Sequence, residues 1–227
     1  MRSVVILLSL LLIAPQSALA KGVYRQEQEA SVVFWNFATC IVERNSDTVR
    51  KLLTKPNWQV PDVSLAKSLA QNSIDQYPLR EEPCGLFEEL RFDTELFRGT
   101  LAGAMFVRDT ICGALPDYSA IHSPVSAAKL ASATDQETQL QLGLRAFSFC
   151  VFLNRPNDVR ALLVTRPFSQ AEHKIFASLS TTFAGCLPAQ EGTRISFTHV
   201  KLRALLGEAA YYADSNLSSR APTGKSQ

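Results

Sequence analysis

The sequence predicts an all-α protein of two tandem, duplicated helical units, about four helices each, packed together and each clipped by one intra-unit disulfide. Three observations carry this. Phe37-Ala38-Thr39-Cys40-Ile41 through Thr48-Val49-Arg50-Lys51-Leu52-Leu53 is written again 110 positions later, as Phe147-Ser148-Phe149-Cys150-Val151 through Asp158-Val159-Arg160-Ala161-Leu162-Leu163. Both copies read F-x-x-C, eight residues, V-R-x-L-L, with no gap. Apolar residues elsewhere recur at helical spacing behind capping residues. Finally, five cysteines in a chain with an export leader read as a disulfide framework with one left over.

The leader is residues 1–20. Arg2 supplies its positive start, Val4 to Ala14 an apolar run, and Ala18-Leu19-Ala20 a small-x-small cleavage site before Lys21. A run of eleven residues is too short to span hydrocarbon as a helix, which needs about 20. The expected division is then 21–108 for the first unit, 109–136 for a connecting segment, 137–214 for the second unit and 215–227 for a disordered tail.

Gln26 to Glu43 is the first helix, apolar nearly all round in its centre, as in a helix covered on most sides. Its β-branched residues also suit a strand, but its length and polar entry favour helix. Asn45 and Ser46 offer a cap for a short second helix, Asp47 to Thr54, which Pro56 stops. In the second copy Asn154 is the cap and Pro156 sits in the first turn, where its missing N–H is harmless. A third helix follows the Ser169-x-x-Glu172 capping box, with Ile175, Phe176, Leu179, Phe183 and Cys186 at helical spacing. Its counterpart is Asp62 to Asp75, followed by a longer loop, Gln76 to Pro83.

The fourth element matches at an offset of 105: Phe92-Asp93 with Phe197-Thr198, Arg98 with Arg203, Leu101 with Leu206, Ala104 with Ala209 and Phe106 with Tyr211. Asp93 and Thr198 stand at the N-cap of helices Thr94 to Arg108 and His199 to Ala213. Small residues along both, including Gly99, Gly103, Ala204 and Gly207, let two helices approach closely. The connecting segment is expected to carry a short helix around Val125 to Ala133, opened by Ser123 and Pro124. The unit is far longer than 34-residue helical-pair repeats, and these residues carry no signature of a characterised family.

Because Cys40 matches Cys150, and each is followed by a cysteine closing the third helix, the expected pairs are Cys40 with Cys84 and Cys150 with Cys186. Loops of 44 and 36 residues would each restrict the unfolded chain by roughly 4 kcal/mol in the entropic description. Cys112 is left as the free thiol. Its favoured reading is a buried small hydrophobe at the end of the fourth helix. A nucleophile near His122 and Asp117, or a bond to a second chain, stand as alternatives.

The formal charge is +2, with 19% charged and 46% hydrophobic residues, and positive charges are scattered. That gives no basic stripe for nucleic acid and no cluster for an anionic membrane surface. The three histidines, His122, His173 and His199, share no metal-ligand spacing, and H-E-x-x-H, C-x-x-C, G-x-S-x-G and phosphate-cradling glycine loops do not occur. No cofactor is implied. Arg50 with Arg160, and Arg98 with Arg203, recur at matching positions; they are expected to pair with acids such as Glu43, Asp47, Asp158 and Glu208, with two related anion sites as the other reading. Glu88, Glu89, Asp93 and Glu95 form an acidic patch in the first unit, read as a solvated face at a helix start rather than an acid/base pair. The functional expectation is a non-enzymatic binding or protein-interaction protein of the cell envelope or extracellular space. The alternative is a hydrolase or thiol-dependent enzyme using Cys112 or that acidic patch.

Overall fold

The computed structural model describes residues 16–54, 94–187 and 197–220. Among these residues the fold is all-helical, with seven helices and no strand. The expected helix Asp62 to Asp75, the loop after it, and Cys84, Glu88, Glu89 and Asp93 lie outside the described residues, as do residues 1–15 of the expected leader.

The first helix, α1 (Gln16–Thr54), is continuous by hydrogen bonding but bends at Asn45, where φ is −131° and ψ 35°. The two expected helices lie on either side of that bend. Phe34, Phe37, Ala38, Ile41 and Val42 are buried before it, and Val49, Leu52 and Leu53 after it. At the matching stretch 110 positions later the break is complete: α4 (Gln136–Asn154) ends and α5 (Pro156–Val164) begins at Arg155, with φ −139° and ψ 56°. Asn45 and Arg155 are themselves 110 positions apart.

Asn154 does not cap α5, as its sequence position suggests. Its amide donates back to Cys150 O at 2.9 Å and so closes α4. Arg155 takes the cap position without a capping side chain, and Pro156 occupies the first turn. The short helix of the connecting segment, α3 (Ala127–Ala131), is likewise capped by Ser126, not by Ser123. Val125 is buried, which draws Pro124 and Val125 onto the body and leaves the next serine to start the helix.

The helix after Ser169 is α6 (Gln170–Cys186). Ser169 Oγ accepts from Glu172 N, as a capping box requires, but the reciprocal bond is displaced by one residue: Glu172 Oε2 accepts from Phe168 N at 2.6 Å. Phe168 is buried at φ 58°, in the left-handed region that costs a non-glycine residue about 1–3 kcal/mol. Its burial and the Glu172 carboxylate hold it there.

The long helices α2 (Thr94–Thr110) and α7 (His199–Arg220) form the centre, with α1 against α2, α4 against α7, and α5 and α6 closing the second side. Thr198 caps α7 as expected, accepting from Lys201 N. Residues 215–220 do not form a disordered tail: α7 continues through them to Arg220, because Leu217 packs on the core and Ser218 bonds back to Asp214 O. α2 and α7 run in the same direction, Gly99 meeting Ala204 and Gly103 meeting Gly207. A Cβ added at Gly207 would stand 2.8 Å from Gly103 Cα and from Gly99 O, so only glycine allows this approach.

Cys150 and Cys186 form a disulfide that ties α4 to the end of α6. Cys40 is also disulfide-bonded, and its partner falls outside the described residues. Cys112 is free, but it is exposed rather than packed. The chain leaves α2 at Thr110 and turns away from the body, so Ile111, 59% exposed, and Cys112 are carried outward together.

Candidate functional site

The seam between α2 and α7 gathers most of the buried charge of the described residues. On one side Arg98, from the first turns of α2, reaches the end of the short helical stretch of α1. Its Nη1 and Nη2 donate to Leu52 O and Leu53 O at 3.2 and 3.1 Å, its Nε to Glu208 Oε1 at 3.2 Å, and Nη2 also meets Tyr212 Oη. On the other side Arg203, from α7, donates to Leu162 O, Leu163 O and Thr165 O at the end of α5, and to Glu172 Oε1, each at 2.7 Å. Both arginines thus bind the C-terminal carbonyls of a short helix, groups that have no intrahelical partner, where a cation also meets the negative end of the helix dipole. Leu52 and Leu162, and Leu53 and Leu163, hold the same positions in the two V-R-x-L-L motifs.

The two sides differ in depth. The Arg203–Glu172 pair is almost sealed, with side-chain exposures of 6% and 1%. Burial pulls the Arg203 guanidinium below its ordinary value, and Glu172 partly opposes that shift. The guanidinium also lies 4.3 Å from the Trp35 ring centroid. Beside Arg98 the position corresponding to Trp35 is Arg145, whose Nε is 3.8 Å from Glu208 Oε2. Glu208 therefore lies between two guanidinium groups.

That replacement opens the surface. A groove of about 190 Å³ runs along the α2–α7 seam beside α4, walled by Leu96, Ala204 and Leu205 and set with Glu95, Gln141, Arg145, Thr198, Lys201 and Glu208. Chemically it offers an apolar strip with fixed charges of both signs, an arrangement suited to holding a polar or charged group. Across the seam the equivalent space shrinks to about 10 Å³, filled by Trp35, Phe168 and their neighbours.

At the far end of the seam Arg50 Nη2 donates to both Asp109 oxygens at 2.8 Å. This pair is exposed enough to be worth at most about 1 kcal/mol. Among the described residues Arg160 meets no acid; its Nη1 donates to Thr110 O and Gly113 O at 3.2 and 2.6 Å. Tyr118 from the connecting segment instead donates to Asp214 Oδ1 at 3.0 Å. Burial, then the nearby Asp214 charge, pushes the Tyr118 phenol far up, so it stays a donor. Burial likewise raises the Asp214 carboxyl, the Tyr118 bond opposing it and Asp109 reinforcing it.

Among the sequence-selected arginines, then, Arg98 pairs with Glu208 across 110 positions, Arg50 with Asp109 and Arg203 with Glu172, and Arg160 with backbone. Of the acidic patch only Glu95 is described, on the groove wall. His122 is exposed, whereas His173 and His199 lie with ring centroids 5.1 Å apart. Cys112 has no hydrogen-bonded base among the described residues. Sequence reading did not single out Arg145, Tyr118, Tyr212 or Asp214. Arg145 and Asp214 carried a signal, since they correspond to Trp35 and Asp109.

No family model, no curated protein and no solved structure matches this chain.

Proposed function

We propose that this chain is an exported, non-enzymatic binding protein of the cell envelope or extracellular space, made of two copies of one helical unit, which holds a partner protein in the groove beside α2, α4 and α7. The groove carries the reading. It lies where the two copies meet, and it is open on the side where Trp35 of one copy is replaced by Arg145 of the other.

The duplication is supported by the bends at Asn45 and Arg155 and by the matched clamps of Arg98 and Arg203 on Leu52, Leu53, Leu162 and Leu163. Within it we assign Cys40 to Cys84, giving each unit its own bridge. Oxidised cysteines fit an oxidising compartment, and the leader directs the chain there. With cleavage after Ala20, α1 would begin at Lys21. Among the described residues no helix is long and apolar enough to cross a membrane.

The test is comparative capture from envelope extract, using the wild-type chain and a doubly altered groove, Lys201→Glu with Gln141→Arg. A partner retained by wild type and lost from the variant, with the same thermal unfolding, supports the groove. Equal capture by both removes it. The second reading, a hydrolase or thiol enzyme, is favoured by one observation, the exposure of Cys112. Turnover of a thioester or ester probe that disappears in Cys112→Ser would establish it in place of the first.

A further inference from the structure

Arginine offers five N–H donors, and on Arg203 four are engaged, two from Nη1 and two from Nη2. The fifth, on Nε, is buried without a protein partner, and so is Nδ1 of His199. Both residues line the same cavity of about 10 Å³, together with Ser31, Trp35, Thr100 and Glu172. They stand four apart on α7, hence on one face of the helix.

Arg98 shows what this Nε lacks. There the matching N–H meets Glu208 Oε1 at 3.2 Å. The residue corresponding to Glu208, at the offset of 105, is Gly103. A Cβ at Gly103 would already stand 3.3 Å from Gly207 Cα and from Leu163 Cδ2, so the helix contact leaves no room for a carboxylate. Among the described residues, then, no carboxylate takes the place beside Arg203 Nε that Glu208 takes beside Arg98.

We propose that this cavity binds a single water molecule, which accepts from Arg203 Nε–H and donates to His199 Nδ1. Its volume is at the lower edge of what one water needs, and its wall supplies the two to four polar partners such a water requires. Thr100 Oγ1, which donates to Leu96 O at 2.7 Å, keeps lone pairs for a further bond. The charge balance selects a neutral occupant. A cation is repelled by Arg203, and an anion would join Glu172, 1% exposed, which already compensates the guanidinium. The water holds His199 as the tautomer protonated on Nε2 and links the first turn of α7 to α1, α2 and α6.

The test is NMR of the full chain in ordinary water, reading cross-relaxation between Arg203 Hε and solvent together with the imidazole ¹⁵N shifts of His199. The expected result is a long-lived water signal at Hε and an unprotonated Nδ1. An Hε without it, or a proton on Nδ1, overturns the assignment. In His199→Leu the water signal should be lost or its lifetime shortened at least tenfold; an unchanged signal excludes His199 as a partner. Should that variant not fold, His199→Gln, which keeps a side-chain acceptor, must retain the signal, and its loss overturns the site.

Discussion

Replacing Gly99 with alanine places a Cβ 2.6 Å from Ala204 O, 2.8 Å from Ala204 C and 2.9 Å from Ala204 Cβ. Ordinary contact begins near 3.4 Å, so α7 must withdraw by about 0.8 Å along the seam. The obstructing atoms are backbone and cannot rotate away, which puts the change at the upper end of the roughly 1–3 kcal/mol that overpacking costs. Alanine's better helix propensity returns about 1 kcal/mol. The net loss is about 2 kcal/mol, or roughly 4–8 °C in Tm for a protein of this size. Gly207→Ala, with three contacts at 2.8–3.0 Å, should lose slightly less. Gly103→Ala meets its neighbours at 3.3 Å, one of them the flexible end of Leu163, and should stay within about 1 kcal/mol of wild type. Urea and thermal unfolding followed by circular dichroism measure all three. If Gly99→Ala matches the wild type, or Gly103→Ala proves the worst, the close approach of α2 and α7 is not what the seam depends on.

Arg203→Met leaves Glu172 charged, buried and without its cation, which should cost about 3–5 kcal/mol. Arg98→Met should cost less, since Glu208 keeps Arg145 nearby; equal losses in denaturant would contradict the difference in depth. Because burial raises the Asp214 carboxyl in the folded state, folding binds its proton more tightly than the unfolded chain does. That contribution is fully present below the ordinary carboxylate value of about 3.9 and is lost as pH rises through the raised value. Asp214→Asn should therefore gain stability relative to wild type above that window and show a flatter pH profile there; a steeper acid-side slope in the variant would reverse the assignment. A thiol reagent should modify Cys112 quickly in the native protein, and mass spectrometry should find one adduct per chain; none would mean that the turn after α2 is covered.

The all-helical class, the breaks near Asn45 and Arg155 and the Cys150–Cys186 bridge were legible because they depend on local pattern. F-x-x-C with V-R-x-L-L aligned the two breaks, and Ser169 and Thr198 announced their helices by capping chemistry. What was not legible depends on contacts between distant elements. Nothing near Arg203 in sequence indicates Glu172, and the acids adjacent to Arg50 are not the one it meets. Phe168 shows no turn residue that would signal a left-handed backbone. Cys112 was misread because apolar neighbours such as Ile111 suggested burial, whereas the helix end decides which way they point. The extent of α7 beyond Asp214 was hidden by a polar composition in which one residue, Leu217, supplies the anchoring contact.

The seam joins two segments about 105 residues apart, and the later one comes at the end of the described chain. While the polypeptide is synthesised from its N-terminus, the glycine face of α2 waits without its mate until α7 has been made. Contacts of such separation are closed late and slowly. Chains cut after Cys186 should accordingly be digested far faster by protease than the full-length protein; equal resistance would show that the earlier helices stand without the last one. Closure of the seam is thereby tied to synthesis of α7.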